Sequence, residues 1–166
     1  MKKFHNLNNN TMASAKFDLE NIEKGILDDD EFEKHKKLPI YKKSLVIRKL
    51  TKAVVNLIDE DNDEMNLKQL MLENAYMISS KIAGAEAGEL YSYRLENAFS
   101  IKRYANELMA EAALCESKNI GDQRYLKPLK EEIEKLRKLF KEWVDSFDKH
   151  KDVEDAWALW QDYGGG

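Results

Sequence analysis

The sequence predicts an all-α protein, an antiparallel up-down-up-down four-helix bundle with extra N- and C-terminal segments. Three observations indicate this fold class. Apolar residues recur at helical spacing over long stretches, only two prolines interrupt a chain of 166 residues, and a segment of small residues separates two apolar stretches. We therefore divide the chain into an N-terminal extension over residues 1–38, a bundle over residues 39–147 and a C-terminal tail over residues 148–166.

The first and fourth predicted helices have the clearest boundaries and periodicity. The first begins at Pro39, a residue that suits the first turn of a helix, and it stops at the acidic run that starts at Asp59. In the fourth, Pro128 is predicted to lie in the first turn. Its apolar residues are spaced alternately by three and four positions, as in the seam of a helical bundle: Leu126, Leu129, Ile133, Leu136, Phe140, Trp143 and Phe147.

The second and third predicted helices carry more apolar residues than one buried face requires. One stripe on each helix is expected to face the core, and a further set lies on another side. In a monomer this surplus apolar surface would be exposed to water, so we interpret it as a contact between subunits of a homo-oligomer. The residues of this predicted contact are Leu72, Tyr76, Ala83, Leu95, Phe99 and Met109.

The segment from Gly84 to Gly88 is predicted to be the turn between the second and third helices, because two glycines within five residues favour a helix end. The pattern Leu-Glu-Asn-Ala-aromatic occurs on both sides of this segment. In a hairpin centred there, Asn74 and Asn97 lie at the same height and could pair their amides. The alternative is that each amide separately bonds a backbone group, water or another helix.

No residue pattern predicts a catalytic, metal-binding or cofactor-binding site. Di-iron bundles need Glu-x-x-His pairs on facing helices, and all three histidines, His5, His35 and His150, lie outside the four predicted helices. The acidic run after Asp59 lacks the glycine and the final glutamate of a calcium-binding loop. A serine nucleophile would need a histidine base, which the helical body does not offer. We expect a protein that is not an enzyme and has no cofactor.

The composition predicts a cytoplasmic protein that does not enter the membrane. No uncharged run approaches the length needed to cross a bilayer, and the N-terminus turns polar after Lys2 and Lys3, where a signal peptide would become apolar. The lone Cys115 cannot form an intrachain disulfide. It is expected to be a small buried residue.

Charge is unevenly distributed along the chain. Basic and acidic residues balance over residues 39–147, so the formal net charge of −4 comes from the flanking segments. The first helix nevertheless carries basic residues and no acid, a face that could contact nucleic-acid phosphates. The competing interpretation is a solvated face that pairs with acids of a neighbouring helix, since only Tyr41 is nearby for base stacking. The basic residues are Lys42, Lys43, Arg48, Lys49 and Lys52.

The C-terminal tail contains an amphipathic segment. Val153, Ala156, Trp157 and Trp160 fall on one face of a helix. Exposed tryptophans are unfavourable, so two interpretations stay open. The segment docks back on the protein's own ring, or Trp157 and Trp160 bind the groove of a protein partner. At the other end of the chain, the first residues are rich in Asn and are predicted to be disordered.

Four stretches carry a family resemblance: LPIYKKSLVIRKLTKAVVNLI, LENAYMISSKIAGAEAG, LENAFSIKRYANELMAEAALCES and YLKPLKEEIEKLRKLFKEWVDSF. They resemble the 23S rRNA intervening-sequence four-helix-bundle family, which includes the accessory variability protein of diversity-generating retroelements. The most specific element runs from Ile78 to Ala83, with Ser79 and Lys81 where the family has Pro and Asn. The resemblance implies a homopentameric ring without known catalysis. Some members bind nucleic acid and a reverse transcriptase through strongly basic surfaces.

Two function hypotheses follow from the residues and the resemblance. In the first, the protein is a non-enzymatic, ring-forming scaffold or adaptor, with a pentamer favoured, that binds a protein partner through its tail or through the rim of the ring. In the second, it is a nucleic-acid-binding accessory protein, associated with a reverse transcriptase, that uses the basic residues of the first helix. Neither hypothesis involves a membrane.

Overall fold

The computed structural model describes residues 34 to 153. This part of the chain forms four α-helices and no strand: α1 (Pro39–Val55), α2 (Leu67–Ala87), α3 (Tyr91–Lys118) and α4 (Gln123–Asp145). A short 3-10 helix, Lys34–Lys37, precedes α1 and packs against α1 and α2, and a second, Glu60–Asn62, follows α1. The predicted all-α fold class is confirmed.

The helices pack in a closed cycle. Consecutive helices are in contact along the chain, and α4 packs against α1 to complete the bundle. Residues 88–90 and 119–122 form short connections from α2 to α3 and from α3 to α4, and the longer segment 56–66, which contains the second 3-10 helix, joins α1 to α2. Helices that follow each other in the chain and pack side by side in this way run in opposite directions. The predicted four-helix bundle is therefore confirmed.

The core lies between the four helices and is formed by apolar residues at the predicted helical spacing. Full burial of one such side chain contributes about 1.5–3 kcal/mol, so the common core is what holds the helices together. Residues that are almost completely buried are Ile47 and Leu50 of α1, Met71, Ile78 and Ile82 of α2, Ile101 and Leu108 of α3, and Leu126, Leu129, Ile133 and Leu136 of α4.

Helix α4 begins earlier than predicted. Its N-cap is Asp122, whose side-chain Oδ1 accepts a hydrogen bond from the backbone N–H of Arg124 at 3.1 Å. Pro128 is consequently the sixth residue of α4 rather than part of its first turn. The backbone N–H of Asp122 also donates to the carbonyl of Val54 at 2.8 Å, so the α3–α4 turn is tied to the end of α1.

The turn between α2 and α3 also differs from the prediction. Helix α2 continues through Gly84 to Ala87, and the chain reverses between Gly88 and Leu90. Alanine is the strongest helix former, and the alternating alanines at 83, 85 and 87 outweigh the single glycine between them. The hairpin is therefore centred later than the sequence indicated.

This later turn changes which residues face each other across the hairpin. The side-chain amide of Asn74 donates to Oε1 of Glu111 at 2.9 Å, and that of Asn97 donates to the carbonyl of Tyr93 at 2.9 Å. The predicted pairing of Asn74 with Asn97 is wrong. The alternative, in which each amide has its own partner, is confirmed.

The residues after α4 return to the start of α3. The backbone N–H of Tyr91 donates to the carbonyl of Lys151 at 2.6 Å, and Oγ of Ser92 donates to Oδ1 of Asp152 at 2.8 Å. These contacts extend beyond residue 147, where the bundle was predicted to end. They fix the point from which the tail departs. Within residues 34 to 153, no helix combines the length and the apolar character required to cross a membrane.

Candidate functional site

Some of the basic residues predicted for nucleic-acid contact form contacts within the bundle instead. Lys43 forms an ion pair with Glu132 of α4, and Lys135 pairs with the same carboxylate. The Glu132 side chain is only 1% exposed. Lys43 thus neutralises a buried acid, as the competing interpretation of the basic face predicted.

Glu132 is a buried charge whose burial was not predicted from the sequence. Burial disfavours its ionised form, but hydrogen bonds from Lys135 and Lys43 outweigh this effect and hold the pKa of Glu132 below its ordinary value. A signal for its burial was present in the sequence. Glu132 follows Leu129 by three positions and precedes Leu136 by four, which places it beside the buried stripe.

Two further basic residues of α1 contact Tyr76 of α2. The guanidinium carbon of Arg48 lies 4.7 Å from the centroid of the Tyr76 ring, and Nζ of Lys52 lies 5.4 Å from it. The hydrogen bond from Lys52 is the largest of the effects that lower the pKa of Tyr76. Lys42 is half-buried and Lys49 is exposed. The prediction that this face binds nucleic acid stays a prediction.

The residues predicted for subunit contact lie in two stripes on opposite flanks of the α2–α3 hairpin. On α2, Tyr76 faces α1, and Leu72 and Ala83 share its side of the helix at positions four before and seven after it. On α3, Leu95 and Met109 lie seven residues before and after Lys102, which lines a recess between α3 and α4. We call these the α1–α2 flank and the α3–α4 flank.

The chain covers the predicted contact residues unequally. Tyr76 is 38% exposed and Phe99 is 54% exposed. Leu72, Leu95 and Met109 are half-buried and pack against the core. Folding therefore reduces the surplus apolar surface, and of the predicted contact residues the two aromatic ones remain exposed.

The recess on the α3–α4 flank is mainly apolar with a basic rim. Its apolar lining comes from Ile101 and Ala105 of α3 and from Ile133, Leu136 and Phe140 of α4, and its polar lining from Lys102, Asn106 and Arg137. Arg137 Nη1 lies 3.1 Å from Oε2 of Glu134, and both side chains are about half exposed. The rim therefore presents positive charge beside an apolar floor.

The α1–α2 flank has a recess of the opposite charge. Leu72 and Tyr76 line it together with Glu60, Asp63 and Glu73. Two of these acids already have partners within the chain. Lys68 Nζ lies 2.7 Å from Oε1 of Glu60, and both carboxylate oxygens of Asp63 accept backbone hydrogen bonds at the start of α2. Glu73 is exposed.

A polar cluster joins three helices at the end of the bundle from which the tail departs. Oε1 of Glu86 accepts hydrogen bonds from Nε1 of Trp143, at 2.7 Å, and from the guanidinium of Arg94. The Arg94 guanidinium lies 4.0 Å from the centroid of the Phe147 ring, and that ring meets Trp143 edge-on at 4.7 Å. Glu86 was predicted to lie in the turn between the second and third helices, so its role in joining three helices was not predicted.

The single cysteine is buried, as predicted. Its Sγ lies 3.7 Å from Sδ of Met71, and burial raises the pKa of the Cys115 thiol to about 11. Because the thiolate is the reactive form, Cys115 is inert in the folded protein. Among residues 34 to 153, no three potential metal ligands come together.

Comparison with protein-family models, with curated proteins and with solved structures gave no match. The resemblance to the 23S rRNA intervening-sequence family therefore stays a prediction. Trp157 and Trp160, the residues predicted to bind a partner, lie outside the described residues.

Proposed function

We propose that this protein is a cytoplasmic, non-enzymatic scaffold or adaptor whose subunits assemble into a closed ring and which binds a protein partner through Trp157 and Trp160. The observation that carries the proposal is the division of the surplus apolar residues between two opposite flanks of one hairpin. A pentamer is favoured, and the number five comes from the family resemblance alone.

Two different flanks favour a head-to-tail contact. In a two-fold dimer, the same patch occurs on both sides of the interface, so a single flank would suffice. A contact between unlike patches instead propagates from subunit to subunit and closes into a ring when the rotation permits. Tyr76 on one flank and Lys102 on the other mark the surfaces that would meet.

The charges at the two recesses support the same arrangement. The α3–α4 flank has Lys102 and Arg137 at its rim, and the α1–α2 flank has the exposed Glu73. Opposite charges around apolar centres steer association and select the orientation of the partners. The acids of the α1–α2 recess are therefore complementary to the basic rim of the α3–α4 recess, while Arg48 and Lys52 lie on the α1 side of Tyr76.

A charge exchange tests this contact. Sedimentation equilibrium on the full chain should give an integer multiple of the mass of one chain. Lys102→Glu and Glu73→Lys should each weaken assembly several-fold, and the double variant should recover it, because every subunit then carries both reversed charges. Lys138→Glu, on an exposed position of α4 outside the recess, is the matched control. A wild-type chain that stays monomeric at high micromolar concentration contradicts the ring.

The second function, a nucleic-acid-binding accessory protein associated with a reverse transcriptase, has less support. Lys43, Arg48 and Lys52 already contact Glu132 or Tyr76, which leaves Lys42 and Lys49 as the remaining cations of the predicted set. Filter binding of RNA and DNA at low and moderate salt would test it. Phosphate contacts predict affinity that falls steeply with salt and falls further in a Lys42→Glu/Lys49→Glu variant.

A further inference from the structure

We propose that Glu111 of α3 makes the packing of α2 against α3 sensitive to pH. The two helices pack most tightly while the Glu111 side chain is a neutral carboxylic acid, and the contact loosens when that acid ionises. This inference does not depend on the proposed ring or on a protein partner, because it concerns two helices of one chain.

Glu111 lies at the edge of the core, on the side of α3 that faces α2. It follows Leu108 by three positions and precedes Cys115 by four, and both of these side chains are 0% exposed. Across the interface, Sγ of Cys115 lies 3.7 Å from Sδ of Met71, and the thiol stays neutral because burial raises its pKa to about 11. The helical register therefore places a carboxyl group beside an apolar contact.

The two carboxyl oxygens of Glu111 have different surroundings. Oε1 accepts a hydrogen bond from the side-chain amide of Asn74 at 2.9 Å, and Asn74 is itself buried. Oε2 is also buried, and no donor in the described part of the chain reaches it. Without a donor or water at this oxygen, the ionised carboxylate is much less favourable than the neutral acid.

The groups around Glu111 give its negative charge little support. Burial is the largest effect and raises the pKa of Glu111, the hydrogen bond from Asn74 acts against the rise, and the charges of Glu107 and Glu73 add to it. Glu107 lies one turn before Glu111 on α3, and Glu73 precedes Asn74 on α2. Within the described residues, no lysine, arginine or histidine is among the groups that act on this charge.

A comparison with Glu132 shows that the partners decide the outcome. Burial acts against the charge of both carboxyl groups. Glu132 has Lys43 and Lys135, whose hydrogen bonds outweigh burial and hold its pKa below the ordinary value. Glu111 has one neutral amide and two acids instead, and burial raises its pKa. The two groups should therefore have effects of opposite sign on stability at neutral pH.

The direction of the pH effect follows from proton linkage. Below the ordinary glutamate pKa, Glu111 is protonated in both the folded and the unfolded chain, and no buried charge opposes folding. As the pH rises towards the higher folded-state pKa, the unfolded chain releases its proton first, so the folded state loses stability. Above the folded-state pKa the loss is complete. We expect the carboxylate then to gain water by local separation of α3 from α2 around Asn74.

Glu111→Gln in the full chain tests this effect, because glutamine has the shape of the neutral acid and cannot ionise. In urea unfolding, wild type and variant should have similar stability at about pH 4, whereas at about pH 7 the folding equilibrium constant of the variant should be several-fold larger. Glu142→Gln, at an exposed position of α4, is the matched control and should change little at either pH. A Glu111→Gln variant that gains no stability at neutral pH, fails to fold, or gains equally at both pH values overturns the proposal.

A direct titration measures the proton on Glu111. In a chain with carbon-13-labelled glutamate, the carboxyl resonance that is missing from Glu111→Gln should titrate above the ordinary glutamate range. In Glu107→Gln and in Glu73→Gln, the same resonance should titrate at lower pH than in the wild type, because one neighbouring negative charge is gone. A Glu111 resonance that titrates within or below the ordinary range overturns the proposal.

Amide hydrogen exchange locates the loosening. At about pH 7, where Glu111 is ionised to the greater extent, residues 71–78 of α2 and 108–115 of α3 should exchange several-fold more slowly in Glu111→Gln than in the wild type, beyond any change shared with α4. Slower exchange to the same extent in all four helices, or no slowing around Asn74, overturns the local loosening.

Discussion

Glu132 shows how a single side chain fixes the pairing of two helices. It occupies a buried position of α4, and its charge is compensated by Lys43 of α1 and by Lys135 of its own helix. A buried carboxylate that loses its cations becomes strongly destabilising, so this group favours only arrangements in which α1 lies beside α4. It thereby selects one helix order over others that a purely apolar seam would tolerate.

Replacing Glu132 with Gln should destabilise the fold by about 1–3 kcal/mol at neutral pH, because two lysines lose a charged acceptor. The folded-state pKa of Glu132 is lowered, so its contribution is present above the unfolded-state pKa and disappears as the pH falls through the folded-state value. Urea unfolding at neutral pH and at about pH 3 should therefore show a difference between wild type and variant that shrinks in acid.

Glu131→Gln is the matched control for this prediction. Glu131 is exposed and its nearest cation, Lys127, is 4.0 Å away, so its loss should change stability by less than about 1 kcal/mol. An equal effect of the two variants, or a Glu132→Gln effect that grows in acid, would contradict the role assigned to the buried carboxylate.

At the scale of the elements, two glycines have opposite roles. Gly121 has a φ of 73°, and a Cβ there would lie 2.8 Å from the carbonyl oxygen of Val54. Gly84 lies inside α2, and a Cβ there would meet nothing closer than Oδ1 of Asn97 at 3.5 Å. One glycine is required by its turn, and the other only weakens a helix.

Gly121→Ala should therefore destabilise the protein by about 1–3 kcal/mol, because a side chain in the left-handed region is strained and this one also meets the end of α1. Gly84→Ala should stabilise it by about 0.5–1 kcal/mol, because alanine replaces glycine in a helix. Thermal unfolding of both variants beside the wild type measures the two effects. A destabilised Gly84→Ala variant would indicate that the chain turns there after all.

The sequence predicted the existence of each helix better than its ends. The long 3-4 spacing of α4 depends only on the residues of that helix, so it could be recognised directly. The end of α2 could not, because glycine and alanine favour opposite outcomes at Gly84. Helix α2 continues as far as Ala87. Near its end, Glu86 accepts hydrogen bonds from Trp143, which is distant in sequence, and from Arg94, which lies across the turn.

The same distinction applies to the candidate surfaces. The two stripes, with Tyr76 on α2 and Met109 on α3, were readable from their spacing along each helix. Their separation onto opposite flanks was not, because it depends on which helix packs beside α2 and which beside α3. The partners of Lys43 and Tyr76 are likewise set by the order of helices around the bundle.

At the scale of the whole molecule, assembly should make stability depend on concentration. A subunit contact that exists only in the folded state stabilises it by mass action. The thermal unfolding midpoint of the full chain should therefore rise as its concentration is increased over two orders of magnitude. Lys102→Glu should lose most of this dependence and Lys138→Glu should keep it. If the unfolding midpoint of the wild type does not change with concentration, the protein is a monomer and the proposed assembly is contradicted.

The cluster at Glu86 separates the bundle mechanically from whatever follows it. Trp143, Arg94 and Phe147 close the end of the bundle, and the hydrogen bonds of Lys151 and Asp152 hold the chain just beyond them. We therefore expect a domain fused after Val153 to leave the arrangement of the four helices unchanged, because these contacts lie between the fusion point and the packed interior. This end of the bundle is accordingly the place we would choose for a fusion or a tether.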